Sequence, residues 1–144
     1  MNLVHKIETW GDTHHPVVLD PFRIVLGMFL LFKGATFMNN TASLHSIIAD
    51  QNVINLSNGA LMGVVYFIAF AHMVGGMMIT FGVLTRIASL IQIPIIIGAI
   101  MMSNAIELPG NTDLWLSIVV LAMLIVFSIV GSGKLSIQRI LENQ

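Results

Sequence analysis

A handful of ionisable and amide side chains lie in or beside long apolar stretches, and chemistry is to be sought there first. They are Lys33, His72, Arg86 and Gln92, with Asn104 and Glu107 at the far end of the third stretch. An ionisable group in hydrocarbon needs a partner, water or a route to the interface. Lys33 is the most demanding. It lies about 18 Å along its helix, roughly two thirds of the way across a bilayer core. Asp50, Glu107 and Asp113 are its candidate partners; otherwise it is a ligand or proton site. His72 sits near the middle of the second stretch and Gln92 about 9 Å into the third, at depths that differ by about 4 Å. The two are close enough in depth to meet, either as polar glue between helices or as a hydrogen-bonding site for a quinone carbonyl or a proton relay. Pro94 frees a backbone carbonyl nearby for Gln92 or another donor.

Arg23 and Arg86 lie at the ends of their stretches. Both read as snorkelling anchors, Arg23 paired with Asp20; the alternative is contact with an anionic headgroup, a carboxylate or a phosphate. Asn104 and Glu107, three residues apart, share a helix face and with Lys33 form a second polar cluster. Cys is absent, which excludes disulfides, thiolate metal sites and cysteine nucleophiles. A bis-histidine haem needs two imidazoles within the spans, and only His72 qualifies, so haem is not expected. Asp12, His14 and His15 make a weak metal-binding set in a polar segment, and no metal is expected.

These residues are positioned by four apolar blocks, Phe22–Met38, Ala60–Phe81, Ile87–Met102 and Leu114–Val130. Of the 144 residues 56% are hydrophobic and only 9% charged, against roughly a quarter charged in a soluble domain. Mean hydropathy is +0.91. Disordered and nucleic-acid-binding chains are excluded. The expectation is an all-α integral membrane four-helix bundle with helices over 21–39, 60–81, 86–105 and 114–130. Residues 1–20 and 132–144 then form cytoplasmic segments flanking a domain over 21–131. Asp20–Pro21 reads as an N-cap followed by Pro at the first helical position. Asn39–Asn40 closes the first helix. Gly82 and Thr85 bracket a tight turn, Pro109–Gly110–Asn111 is another, and Gly131 stops the fourth helix. Lys6, Arg86, Lys134 and Arg139 all fall on one side, which the positive-inside rule makes cytoplasmic, with both termini there. Trp10 and Trp115 mark opposite interfaces. The first span reads as an uncleaved anchor, since no signal-peptide cleavage site follows the polar start. Residues 44–56 read as a short amphipathic helix across the outer face. Gly59-x3-Gly63 and Ala71-x3-Gly75 are faces suited to close helix contact.

Arg23-x3-Gly27 with Lys33–Gly34, then Gly75–Gly76, Phe81–Gly82, Leu84–Thr85–Arg86, Pro94, Gly98 and Asn104, together resemble the pattern of the DoxX family of small bacterial membrane proteins. The resemblance covers about Asp20 to Val130 and is carried mainly by Ala71 to Asn104. It implies four transmembrane helices and a multi-pass protein of the bacterial inner membrane. It also implies links to redox complexes, the family name coming from a subunit associated with a terminal quinol oxidase. A related branch, DoxD, belongs to thiosulfate:quinone oxidoreductase. Lys33, Arg86, Gln92 and Asn104 match polar positions of the family.

Two classes of function follow, and the sequence leaves catalytic activity open. In the first, the chain is an accessory subunit of a quinone-linked oxidoreductase. His72 and Gln92 bond the head-group carbonyls, Lys33 or Arg86 steadies a developing anion, and a membrane or soluble redox partner protein supplies electrons. In the second, it is a non-enzymatic lipid or small-anion binding or transport protein, or a structural subunit of a membrane complex, with a homo-oligomer enlarging the unit. The lipid bilayer is a partner in both and nucleic acid in neither.

Overall fold

The computed structural model describes residues 6, 18–50, 56–105 and 112–131, with side chains at all of these but 102–105, 112 and 113. Among the described residues the chain forms five helices and no strand: α1 (Leu19–Asn39), α2 (Thr41–Asp50), α3 (Asn58–Phe81), α4 (Thr85–Ala105) and α5 (Thr112–Val130). α1 and α3 are long and apolar enough to cross a membrane; the apolar stretches within α4 and α5, Thr85–Met101 and Leu114–Val130, are shorter.

Local chemistry sets most of the ends. α1 stops at Asn40, whose backbone N–H and side-chain amide both donate to the Thr36 carbonyl. The start of α1 differs from expectation. The helix begins one residue before Asp20, and no side chain caps it. Asp20 lies in the first turn and pairs with Arg23. α3 begins after Ser57, whose hydroxyl accepts from the Ala60 N–H. It ends at Gly82, left-handed at φ 70°, a conformation that costs glycine little. Leu84 is also left-handed, at φ 49°, so the Gly82–Leu84 connection reverses the chain between α3 and α4 within three residues. α2 follows α1 directly and packs Ile48 against Leu61 and Val65 of α3. It starts before the expected amphipathic segment and ends at Asp50; residues 51–55, also in that segment, lie outside the described residues.

α3 lies against α1 on one side and α4 on another, and α5 packs mainly on α4. Leu26 and Leu30 of α1, Ile79 of α3, Ala88 of α4, and Leu124 and Phe127 of α5 form one buried core. Large apolar side chains also cover the outside: Phe32 is 73% exposed, Trp115 70%, Met101 64% and Phe70 61%. An apolar exterior of this extent needs a covering, and a bilayer supplies one.

The tightest contact is between α1 and α3. A Cβ built on Gly76 would stand 2.5 Å from the Leu31 amide nitrogen and 2.7 Å from the Gly27 carbonyl oxygen. One on Gly34 would stand 2.6 Å from the Met73 amide nitrogen. These helices meet backbone to backbone, which only glycine permits. The Gly59-x3-Gly63 face is not used in this way among the described residues: none of them lies within 4 Å of a Cβ at either glycine. A small-residue spacing specifies a smooth helix face without placing a neighbour against it.

Gly76→Ala will therefore destabilise the protein by about 1–3 kcal/mol, the usual range for overpacking, read as a lower thermal midpoint in detergent. Gly63→Ala will be neutral or stabilising, by up to about 1 kcal/mol of helix propensity.

Candidate functional site

Lys33 and His72 come together where α1 and α3 face each other. The antiparallel register seats Gly34 between Met73 and Ala69, level with Ala71, so one step back along α1 and one step on along α3 bring Lys33 and His72 to the same level. The Lys33 charge acts on the His72 ring. The ring is buried, 4% exposed, and its Nδ1 lies 3.0 Å from the Ile68 carbonyl oxygen one turn earlier. A carbonyl only accepts, so Nδ1 carries the hydrogen; in neutral imidazole this leaves Nε2 as an acceptor. Phe37 meets the ring edge-on, with centroids 5.5 Å apart and planes at 73°. The Lys33 ammonium stands 5.8 Å from the centre of the Phe29 ring, within cation–π range. Among the described residues no carboxylate lies within ion-pair distance of Lys33. Asp50, one of its expected partners, is exposed on α2. Glu107 lies outside the described residues, and so does the side chain of Asp113. The arrangement gathers a cationic donor and an imidazole at one level of the α1–α3 interface, with Phe29 about one turn to one side along α1 and Phe37 about one turn to the other, roughly 12 Å apart. It can bond a carbonyl or hydroxyl of a head group between the two rings.

Gln92 does not meet His72. Its Nε2 donates to the Ala71 carbonyl oxygen at 2.7 Å, and the side chain fills the notch left by Gly75, where a Cβ would stand 3.2 Å from Gln92 Cδ. Ala71 and His72 are neighbours on α3 and point about 100° apart around the helix, as the 3.6-residue turn requires. Equal depth therefore brings Gln92 and His72 to one level on different faces. The Gln92 amide joins α3 to α4, and its Oε1 is buried without a hydrogen-bond partner. Pro94 lies inside α4 and removes the N–H that would meet the Leu90 carbonyl; Gln92 donates across to α3 instead.

Arg23 does not snorkel. Its side chain and that of Asp20 are wholly buried, with Arg23 Nη1 3.1 Å from Asp20 Oδ1. Arg23 continues the buried row of Leu26, Gly27, Leu30 and Gly34, so it faces the interior. Arg86 packs against the end of α5, where a Cβ on Gly131 would stand 2.9 Å from the arginine Nε. Neither arginine is brought beside Lys33 by any described contact. Asn104 lies in the last turn of α4, its side chain outside the described residues, as is Glu107. Asp12, His14, His15 and Trp10 also lie outside them.

Sequence reading missed Phe29, Phe37 and the buried hydroxyls of Thr85 and Ser89. The signal for the hydroxyls was present: Thr85, Ser89 and Gln92 are spaced four and three apart, which stacks them on one helix face.

Comparison with known proteins returns a family model described as DoxX, matching residues 18–105. No curated protein and no solved structure matches.

The Gly75–Gln92 notch yields a double-mutant prediction. Gly75→Ala will displace the amide from Ala71 and lower stability. In a Gln92→Ala background the same substitution will cost little, giving a coupling of about 1–3 kcal/mol in thermal or denaturant unfolding. Additive effects would contradict the packing described.

Proposed function

The chain belongs to the DoxX family of membrane proteins, and on that footing we propose that it binds a quinone or quinol head group at Lys33 and His72, as an accessory subunit of a quinone-linked oxidoreductase. In this reading α1, α3, α4 and α5 all span the bacterial inner membrane, with both termini cytoplasmic. α2 lies at the outer face. Alternating helix directions and the single-sided placement of Lys6, Arg86, Lys134 and Arg139 support that topology.

The observation that carries the proposal is Lys33: an ammonium within an apolar helix, beside a buried imidazole, with no carboxylate at ion-pair distance among the described residues. A head-group oxygen would accept from the ammonium, and His72 Nε2 would accept from a quinol hydroxyl. The ammonium favours negative charge developing on the head group, because attraction between charges is strong where water is excluded. Phe29 and Phe37 supply apolar walls. Without cysteine the chain has no thiolate for an iron–sulfur cluster, so a partner protein exchanges the electrons. The same ammonium also suits an anionic lipid headgroup or a small anion, the non-enzymatic reading.

Quinone and phospholipid extracted from purified protein and quantified by chromatography separate the two. Lys33→Met and His72→Phe will each reduce bound quinone about tenfold or more, the effect of losing a bond worth about 1.5–3 kcal/mol. Unchanged quinone in both variants, or loss of phospholipid alone in Lys33→Met, would overturn the quinone reading.

A further inference from the structure

We propose that Thr85, Ser89 and Gln92 hold a file of bound water along the α3–α4 seam, running from the Gly82–Leu84 turn to the level of Gln92. Thr85 is 1% exposed and Ser89 and Gln92 are 0% exposed. Thr85 Oγ1, Ser89 Oγ and Gln92 Oε1 are all buried without a hydrogen-bond partner. A buried polar atom left unbonded costs about 1–3 kcal/mol, and three in one row compound that cost.

Other hydroxyls of this chain avoid the penalty by bonding a carbonyl one turn back. Thr36 donates to Phe32 at 2.9 Å, Ser46 to Ser43 at 2.8 Å, Thr80 to Gly76 at 2.7 Å and Ser128 to Ile125 at 2.7 Å. Ser89 has the same option and does not take it. Gln92 uses its amide N–H on Ala71 and keeps its oxygen in the row.

The spacing suits water. Side chains three or four apart on a helix stand about 5–6 Å from each other, the span of one water bonded at both ends at about 2.8 Å. Water donates to Gln92 Oε1, which can only accept, and exchanges donor and acceptor roles with the two hydroxyls. Admitting it requires α3 and α4 to part slightly, since the three groups are closely packed; the two helices contact each other less than α1 and α3 do, which makes this the easier seam to part. Leu124 of α5, wholly buried in the apolar core, is a dry reference position. The inference stands whether or not Lys33 and His72 bind a quinone.

The test uses the full chain in detergent or nanodiscs. A dry row makes Ser89→Ala and Thr85→Val stabilising, since each deletes an unbonded group. A hydrated row makes both destabilising, because a water loses its anchor; the expected fall in thermal midpoint is about 3 °C each. The absence of native cysteine allows a second measurement. Ser89→Cys and Thr85→Cys will react with a small water-borne thiol reagent at least about tenfold faster than Leu124→Cys, since reaction requires a hydrated thiolate. A raised midpoint in Ser89→Ala, or labelling of Ser89→Cys as slow as that of Leu124→Cys, would overturn the proposal. So would loss from Ser89→Ala of a copurifying lipid or quinone that the wild type retains, which makes that molecule the occupant.

Discussion

The close approach of α1 and α3 is the constraint on which the rest depends. Lipid gives helices little hydrophobic reason to associate, because its tails are as apolar as leucine; close packing must hold them. Gly27 and Gly34 on one helix and Gly76 on the other bring the backbones together. That contact fixes the sliding register, and the register places Lys33 beside His72. Moving one helix by a turn, about 5.4 Å, would separate the ammonium from the imidazole.

The adjacent glycines of α3 serve different neighbours. Gly76 admits the backbone of α1, while Gly75 admits the side chain of Gln92 from α4. One seam is sealed by main-chain contact, and the other is joined by the Gln92 amide hydrogen bond. Polar chemistry is divided accordingly. The charged and aromatic groups lie on the α1 side of α3, and the neutral hydroxyl and amide groups on the α4 side.

Much of this was legible in the residues. Periodic apolar blocks marked the helices, and Asn40, Gly82 and Gly131 marked ends because amide capping and left-handed backbone are local properties. The importance of Lys33 followed from depth alone. Depth says nothing about direction around the helix axis, however. It therefore suggested that His72 and Gln92 meet, when they occupy different faces of one level. It also left Arg23 as a snorkelling anchor, although its spacing to Leu26, Gly27, Leu30 and Gly34 puts it on the inward row. Gly59-x3-Gly63 has the spacing of a contact face, and none of the described residues packs against it. Which smooth face receives a partner is decided by how the helices are arranged, which a local motif does not encode.

The unequal seams have a mechanical consequence. α1 with α3, and α4 with α5, are closely packed pairs joined by a lighter contact between α3 and α4. Prising α1 from α3 means opening a row of interlocked backbones, whereas parting α3 from α4 around their short hinge strains the Gln92 amide bond and loosens the apolar core between the pairs. Thermal breathing will therefore concentrate at the α3–α4 seam, with each pair moving as a stiff plate. The Lys33–His72 site lies within one plate and keeps its shape through that motion. The row of Thr85, Ser89 and Gln92 lies on the joint, where a small change of angle alters how much polar material fits.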